Sequence, residues 1–260
     1  MIITDVLGKQ FSLEERFERI ISLTPSTTET LYALGLEEKV VGVTRFCVHP
    51  ERARKEKILV GGTKQIDLER VRACQADFVL GNQEENSPEI YQQLQSLGIS
   101  SCFFFPKKVE EAAVDIEKLS ILFGVQKNYN DWFSLFQNNR KQCPSREFRF
   151  AYLIWRNPWM SLNGDCFISS MLSEIGGINI FKEHPERYFS CSLEDIKQRK
   201  PDVLLLSSEP FPFKEKHRQE LIQQGFSEAQ LRFIDGEMCS WHGTRMAKAF
   251  LYFKDWLQNI

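Results

Sequence analysis

Short apolar runs alternate with segments of helical periodicity along most of the chain. The apolar runs predict strands, and the periodic segments between them predict helices. Strands that alternate with helices are typical of βα units that build a mainly parallel sheet. The predicted strands are Arg19–Leu23, Lys39–Val43, Asp77–Leu80, Ser101–Phe105, Arg149–Trp155, Val203–Leu206 and Leu231–Ile234. The predicted helices are Thr27–Leu34, Asp67–Ala73, Pro88–Leu97, Phe167–Ile175, Leu193–Arg199 and Thr244–Leu257.

The alternation is interrupted once, by a long segment from Val109 to about Lys141. Its apolar positions begin with helical spacing, it contains no proline, and Pro144 follows it, so the pattern predicts one long, bent helix. The chain is therefore expected to form two Rossmann-like α/β lobes, 1–106 and 146–260, joined by a single backbone helix at 107–145. This arrangement predicts a ligand cleft between the lobes.

The two halves of the sequence repeat one pattern. Leu68-Glu69 is followed nine positions after Leu68 by the strand that begins at Asp77, and Leu193-Glu194 is followed in the same way by the strand at Asp202. A short polar loop with acidic residues follows each strand, at 83–86 and at 207–210. The pattern indicates two similar lobes, although helix–strand units often look alike.

Aromatic residues are common in the loops that follow the predicted strands. Ligands of open parallel sheets bind beyond the carboxyl ends of the strands, and flat rings there suit a large planar or apolar ligand. Trp155 fits the core as well as the cleft, whereas Trp241 lies in a polar turn and is expected to be exposed in the cleft. The aromatic candidates for the cleft are Phe46, Trp155, Trp159, Tyr188, Phe211, Phe213 and Trp241.

Composition narrows the classes of partner. Hydrophobic residues make up 42% of the chain, enough for a sizeable core, and the formal net charge of −2 gives no reason to expect a nucleic acid or an anionic membrane as partner. Seven cysteines without a CxxC pair indicate reduced, mostly buried thiols. The N-terminus shows no secretion signal, so a cytoplasmic location and export after signal removal both stay open.

Motifs for catalysis are missing from the sequence. Gly61-Gly62-Thr63-Lys64 lacks the spacing of a P-loop, and neither a GxSxG elbow nor an HExxH helix occurs. An enzyme and a catalytic cofactor are therefore not expected. His49 and His242 fall in predicted cleft loops, where either one, or Cys47, could be an axial ligand to the metal of a bound chelate. The alternative is a histidine that only forms hydrogen bonds within its loop.

An ordered series of segments resembles the cobalamin- and siderophore-binding proteins of bacterial ABC importers, the class III periplasmic binding proteins. The series spans nearly the whole chain. It consists of Arg19 to Ser26 with Thr28-Glu29, Val41 to Thr44 with His49-Pro50, Gly61 to Thr63, Leu68 to Leu80, Trp155 to Phe181, Leu193 to Leu206 and Gly243 to Arg245.

The resemblance implies a non-enzymatic receptor that binds a corrinoid or a related metal chelate between two lobes. Tyr188 falls where the second lobe supplies a ring, and Phe46 and His49 fall in the corresponding loop of the first lobe. Asn82 stands where the family has a tryptophan. Near the closing turn, two acidic positions of the family correspond to Glu237 and Ser240, so one carboxylate is missing. With Trp159, Trp241 and His242, these residues complete the candidate ligand-binding set.

The resemblance also implies delivery of the ligand to an ABC permease dimer, with one glutamate on each lobe docking on permease arginines. The candidates are Glu84, Glu85 and Glu89 on the first lobe and Glu209 on the second. Ordinary surface acids are the alternative. The receptor is expected to be a monomer that binds no nucleic acid, and export to the periplasm is implied by resemblance only.

Two other functions stay open. One is a cytoplasmic protein or enzyme that handles corrinoids or metallocofactors without a role in transport. The other is a receptor for a divalent metal, which needs three or four converging ligands and is disfavoured because the histidines are scattered.

Overall fold

Contacts divide the chain into two compact units. The computed structural model describes residues 2–12 and 14–259. The first unit runs to Pro106 and includes Glu110–Leu135 and His242–Arg245, and the second consists of Lys107–Val109, Phe136–Trp241 and the chain from Met246 onward. A four-residue segment from near the C-terminus is thus part of the first unit.

The first unit is built on a five-stranded parallel sheet with the strand order β5-β4-β3-β6-β7. Its central strands are buried throughout, because helices follow the strands in sequence and cover the apolar runs. A separate antiparallel pair, β1 and β2, precedes the sheet. The strands are β1 (Ile2–Thr4), β2 (Gln10–Ser12), β3 (Ile20–Ser22), β4 (Val40–Val43), β5 (Ile58–Leu59), β6 (Phe78–Asn82) and β7 (Ser100–Phe104).

The helices between these strands begin where the sequence provides a stop or a cap. Proline occupies the first turn of the helices at 25–33 and 88–96, where no amide hydrogen is needed. The carboxylate of Asp67 accepts hydrogen bonds from the backbone of Glu69 and Arg70 at the start of another helix. The helices are α1 (Pro25–Ala33), α2 (Glu51–Glu56), α3 (Leu68–Ala73) and α4 (Pro88–Ser96).

The predicted single long helix is wrong in one respect, because two consecutive helices occupy its place. They are α5 (Val109–Leu122) and α6 (Gln126–Gln142). Gly124 has φ +68°, a left-handed conformation that ends a helix, and the amide of Val125 donates to the carbonyl of Ser120 across the break. The ring of Phe123 contacts Phe78, with 5.9 Å between centroids. The segment 107–145 is shared between the two units, whose division falls within α6.

The second unit contains a four-stranded parallel sheet with the order β10-β8-β12-β13 and an antiparallel ribbon of β9 and β11. The strands are β8 (Phe148–Leu153), β9 (Met160–Leu162), β10 (Gly177–Asn179), β11 (Tyr188–Ser190), β12 (Val203–Ser207) and β13 (Leu231–Ile234). The helices are α7 (Phe167–Ser173), α8 (Leu193–Gln198), α9 (Glu215–Gln223), α10 (Gly236–Ser240) and α11 (Met246–Trp256), with short 3₁₀ turns at Glu228–Gln230 and Leu257–Asn259.

The repeated pattern of the sequence corresponds to equivalent parts of the two sheets. Helix α3 leads into β6 and helix α8 leads into β12, and each strand lies beside the first strand of the parallel sheet of its unit, β3 and β8 respectively. Asp67 caps α3, and the hydroxyl of Ser192 caps α8 by accepting from the amide of Asp195. Val71 and Ile196 are the buried residues of the two helices.

An arginine and an aspartate join the start of the repeated strand to its neighbour in the first unit. The carboxylate of Asp77 accepts hydrogen bonds from the amides of Glu18 (2.9 Å) and Arg19 (3.0 Å). The guanidinium of Arg19 donates to the carbonyls of Cys74 (2.7 Å, from Nη2) and Gln75 (3.0 Å, from Nε) at the end of α3. We call this arrangement the arginine–aspartate clamp.

The same clamp occurs in the second unit. Asp202 accepts from the amide of Arg149 at 2.7 Å, and the Arg149 guanidinium donates to the carbonyls of Arg199 (2.8 Å, from Nη2) and Lys200 (3.4 Å, from Nε). Lys200 has φ +51° and Gln75 has φ +46°, so the turn between helix and strand also has the same conformation in both units.

No helix within residues 2–12 and 14–259 is both long enough and apolar enough to cross a membrane.

Candidate functional site

The loop after β4 presents one aromatic ring of the first unit to solvent. Phe46 is 46% exposed, and the guanidinium carbon of Arg45 lies 4.9 Å from the centroid of its ring. Cys47 fixes the loop to α1, because its sulfur accepts a hydrogen bond from the hydroxyl of Thr28 at 3.0 Å. His49 is partly buried and precedes a cis proline.

The expectation that Cys47 could be a metal ligand is wrong. The side chain is fully buried, and burial raises the pKa of its thiol. A thiol must lose its proton to bind a metal, so this environment disfavours the coordinating form. The role that the structure shows for Cys47 is to fix the loop that carries Phe46.

Asn82 and His242, both predicted site residues, contact each other in the first unit. The side-chain oxygen of Asn82 accepts from the amides of Glu84 (2.8 Å) and Glu85 (3.1 Å). Its nitrogen therefore faces His242, with 3.0 Å to Nε2. Because an amide nitrogen only donates, Nε2 is the acceptor, and the neutral ring carries its proton on Nδ1.

This contact weighs against His242 as an axial ligand. The lone pair of Nε2 is already engaged with Asn82, and a neutral imidazole coordinates a metal through an unprotonated nitrogen. Burial lowers the pKa of His242 to about 4, which keeps the ring uncharged near neutral pH. Asn82 itself is 1% exposed, so it supports the loop after β6 and presents little surface to a ligand.

His242–Arg245 form a segment that is held tightly in the first unit. We call it the inserted segment. Gly243 has φ +146°, and a Cβ atom there would lie 2.4 Å from the hydroxyl oxygen of Thr30. The amide of Thr244 donates to that hydroxyl at 3.1 Å, and the indole of Trp132 donates to the carbonyl of Thr244 at 2.9 Å. Only glycine fits the second position of this segment.

A buried ion pair ends the inserted segment. Nε of Arg245 lies 2.7 Å from a carboxylate oxygen of Glu29, and the two side chains are 7% and 10% exposed. Buried charges are tolerated only when they are paired, so each residue depends on the other. The sequence places Arg245 in the predicted helix 244–257, but α11 begins after it, at Met246.

The second unit presents aromatic rings around a tight hairpin between Trp155 and Met160. Trp155 is 41% exposed and contacts the ring of Phe211 edge-on, with 5.6 Å between centroids. Trp159 is partly buried and lies parallel to Phe213, with 6.2 Å between centroids and 8° between planes. We call Trp155, Trp159, Phe211 and Phe213 the aromatic group.

A charged pair fixes the hairpin of the aromatic group. Arg156 donates two hydrogen bonds of 2.8 Å to the carboxylate of Glu220 on α9, and its guanidinium carbon lies 5.7 Å from the ring centroid of Trp159. The hydrogen bonds from Arg156 lower the pKa of Glu220. The buried ring of His217 packs against Phe211, with 5.1 Å between centroids. The aromatic group is therefore held in place before any ligand binds.

Tyr188 lies on the ribbon beside this group. It is 36% exposed on β11, which pairs with β9, and the guanidinium carbon of Arg187 lies 5.5 Å from its ring centroid. The ribbon connects Tyr188 to the hairpin of Trp159, because the amide of Cys191 donates to the carbonyl of Trp159 at 2.9 Å.

Trp241 is buried, so the expected exposure of this side chain is wrong. It is 8% exposed, and its indole donates to the carboxylate of Glu209 at 3.0 Å. The hydroxyl of Ser240 donates to the same oxygen at 2.7 Å. The turn around 241 is polar because it satisfies Glu209, which the sequence pattern does not show. Glu237 is partly buried in the first turn of α10.

The candidate docking acids differ between the units. Glu85 and Glu89 are exposed on the loop after β6 and on α4, whereas Glu84 is partly buried. A hydrogen bond from its own backbone amide at the start of α4 lowers the pKa of Glu89. Glu209 follows β12 at the equivalent position, but it is partly buried and engaged by Ser240, so an accessible carboxylate there is not observed.

No group of three or more histidine, cysteine, aspartate or glutamate side chains within the described residues could hold a metal ion. The arrangement instead offers rings at the carboxyl edges of two parallel sheets. Such rings contribute to binding through apolar contact area and not by coordination.

Comparisons with known proteins agree with the fold. The sequence profile of the family described as "Periplasmic binding protein" matches residues 20–228. A "Vitamin B12-binding protein" of Photorhabdus laumondii is 27% identical over 246 residues, which cover 93% of this chain and 82% of that protein. The protein of the same name from Yersinia pestis is 30% identical over 195 residues, 73% of this chain and 69% of that protein.

Solved structures show the same architecture. The periplasmic vitamin B12-binding protein BtuF of Vibrio cholerae superposes with a TM-score of 0.80 at 25% identity, covering 93% of this chain and 97% of that one. The periplasmic heme-binding protein RhuT from Roseiflexus superposes with a TM-score of 0.78 at 19% identity, covering 92% and 97%.

Proposed function

Because the chain belongs to the periplasmic binding protein family, we propose that it is a non-enzymatic binding protein for a corrinoid or a related flat metal chelate. One observation carries this proposal: large aromatic side chains stand exposed in the loops at the carboxyl edges of both sheets. In those loops Phe46 is 46% exposed and Trp155 41%, and Tyr188, which lies on the ribbon strand β11, is 36% exposed. Rings in such positions bind flat, largely apolar ligands, and relatives of this chain are vitamin B12-binding proteins.

The aromatic group supports a large ligand more than a small one. Arg156, held by Glu220, lies over the ring of Trp159, and Trp155 packs against Phe211, so little side-chain entropy is lost when a ligand covers the accessible rings in front of the buried Phe213. The loops of both units contribute side chains to the ligand in this proposal, Phe46 from the first and Trp155 and Tyr188 from the second.

Isothermal titration of the purified protein tests the ligand class. Cyanocobalamin is titrated in parallel with haem and a ferric siderophore, and we expect saturable one-to-one binding of cyanocobalamin. Tyr188→Ala should raise its Kd about tenfold, since truncation of an exposed aromatic side chain removes apolar contact with the ligand. Phe233→Ala is the matched control, because Phe233 is similarly exposed, at 41% against 36% for Tyr188, but lies on β13, outside these loops.

The outcomes separate the alternatives. Tight binding of haem or the siderophore with no binding of cyanocobalamin would support the proposed site and exclude a corrinoid as its ligand. Failure of all three ligands would refute the proposal and favour the role in cytoplasmic cofactor handling.

We further propose that the protein delivers its ligand to an ABC importer and docks through Glu85 and Glu89 of the first unit. Both residues are exposed, burial raises the pKa of the Glu85 carboxyl group, and carboxylates pair well with arginines of a partner. In a reconstituted importer, Glu85→Gln combined with Glu89→Gln should reduce receptor-stimulated ATP hydrolysis while ligand binding stays unchanged. Glu117→Gln, which neutralises an exposed acid on α5, is the control. Equal stimulation by both variants would contradict this docking surface.

A further inference from the structure

The second unit contains a cavity outside the loops of the proposed ligand site. It lies beside the edge strand β10, near the start of β8, and has a volume of about 330 Å³. Three basic side chains line it, with one acid, Glu183, and an apolar wall that includes Ile178, Ile180 and Pro185. The basic residues are Arg149, Lys182 and Arg199. A cavity of this size suits a small organic molecule.

Arg149 is held in place without a neutralising partner. The clamp uses its Nη2 and Nε atoms on the carbonyls of Arg199 and Lys200, at 2.8 Å and 3.4 Å. In the part of the chain that the structure describes, no carboxylate pairs with this guanidinium, and its Nη1 makes no hydrogen bond. Asp202 accepts only from the backbone amide of Arg149. The guanidinium is thus oriented in advance and keeps its full charge and an unused donor.

The other two cations supply further donors. The guanidinium of Arg199 stacks on Phe181, with 4.8 Å from its central carbon to the ring centroid, and Nη1 donates to the carbonyl of Ile180 at 3.3 Å. Asp195 pairs with Nε of Arg199 at 3.1 Å, so Nη2 is left over. Lys182 is exposed and pairs only loosely with Glu183, at 3.7 Å.

We propose that this cavity binds a small organic phosphate, a phosphate monoester with a compact apolar body. Two guanidinium groups and one ammonium match the charge and the oxygen acceptors of a phosphate, and guanidinium donors form charge-assisted hydrogen bonds with it. The apolar wall receives the organic part of the ligand. The site is separate from the aromatic group and does not depend on the function proposed above.

Titration of the full chain with phenyl phosphate, followed by calorimetry, tests the site. We expect saturable one-to-one binding that is tighter than binding of inorganic phosphate, because the phenyl ring also contacts the apolar wall. Lys182→Gln and Arg199→Gln should each raise the Kd about tenfold, since each removes a charge-assisted contact. Lys216→Gln, on the exposed face of α9, should leave it unchanged. Arg149 is not substituted, because it also holds the clamp.

Lys182 is exposed and makes no contact on which folding depends, so Lys182→Gln decides the matter even if Arg199→Gln fails to fold. The proposal is overturned if the wild-type protein shows no saturable binding of phenyl phosphate, or if Lys182→Gln binds as tightly as Lys216→Gln. It is also overturned if phenyl phosphate competes with cyanocobalamin for the protein. Cyanocobalamin binding should be the same in Lys182→Gln and the wild type, which separates this test from that of the proposed function.

Discussion

The two units share a scaffold and differ in the loops that the scaffold carries. In the first unit Arg19 and Asp77 clamp the start of the central strands, and in the second Arg149 and Asp202 do so with the same backbone partners. Their strand-end loops have diverged. Asn82 of the first unit contacts His242, whereas Glu209 of the second contacts Trp241.

Because these loops differ, the two units expose unequal amounts of aromatic surface. The first unit exposes Phe46, whereas the second exposes Trp155 and Tyr188, with Trp159 and Phe211 partly buried and Phe213 buried. We infer that the repeated elements supply stability, and we expect ligand contacts to come from the parts that are not repeated. We therefore expect substitutions in the clamp to affect folding and substitutions in the second unit's rings to affect binding.

The largest effect should come from the buried ion pair of the inserted segment. Glu29→Gln removes the carboxylate that pairs with the buried guanidinium of Arg245 and should lower the free energy of unfolding by about 3–5 kcal/mol in a urea titration. Glu18→Gln removes the exposed partner of Lys39 and should cost only about 0–1 kcal/mol. Equal costs would show that the inserted segment contributes little to the first unit.

A smaller effect should distinguish the rings of the two units. Trp155→Ala should weaken cyanocobalamin binding by about 2 kcal/mol, roughly a thirtyfold rise in Kd, because it removes a large fixed ring. Phe46→Ala should cost about 1 kcal/mol, since Phe46 is a single smaller ring on a loop. Calorimetry of the two variants gives the ratio of their Kd values for cyanocobalamin. A larger loss of affinity for Phe46→Ala would contradict the larger contribution that we propose for the second unit.

Loss of either clamp should destabilise its own unit by a similar amount. Asp77→Ala removes two charge-assisted hydrogen bonds to backbone amides and Asp202→Ala removes one, and each variant should cost about 1–2 kcal/mol. If the units unfold in separate calorimetric transitions, each variant should shift a different one. A shift of the same transition by both variants would mean that the units unfold together.

A further effect, absent near neutral pH, should be a change in pH dependence. Burial lowers the pKa of His242 from 6.5 to about 4, so between these values the unfolded chain binds a proton that the folded chain does not. Stability from this residue is therefore present above pH 6.5 and is lost as the pH falls toward 4. His242→Gln should flatten the fall in unfolding free energy across this range, measured by urea titration at each pH.

Asp115 acts in the opposite direction and needs a control. Burial raises the pKa of its carboxyl from 3.8 to about 6, so the folded chain binds the extra proton and stability from this residue falls as the pH rises between those values. An Asp115→Asn background isolates the contribution of His242. An unchanged pH profile after His242→Gln in that background would contradict the burial of a neutral imidazole.

Much of the fold could be predicted from hydrophobic periodicity. Every strand predicted for the two parallel sheets is present, and the α3–β6 and α8–β12 units match the repeated pattern. The break at Gly124 was missed because glycine without proline does not by itself end a helix, and contact of Phe123 with Phe78 is a tertiary effect. Three-residue strands such as β9, β10 and β11 are too short for a periodic signal.

The site could be predicted only in part, because burial depends on partners that are distant in sequence. The loops that carry Phe46, Tyr188 and the aromatic group follow from strand order. The burial of Trp241 depends on the carboxylate of Glu209, and the Glu29–Arg245 pair joins opposite ends of the chain. No spacing rule identifies such pairs, although a polar turn next to a tryptophan could have suggested an acceptor for its indole.

Hydrogen exchange of the whole chain, with and without saturating cyanocobalamin, tests the central claim most directly. With cyanocobalamin bound, we expect slower amide exchange in the hairpin 155–160, around Tyr188 and in the loop 44–50. Exchange around the clamp residues Arg19 and Arg149 should stay unchanged. Protection confined to the clamp edges of the sheets, or no protection anywhere, would contradict the proposal that the exposed rings bind the ligand.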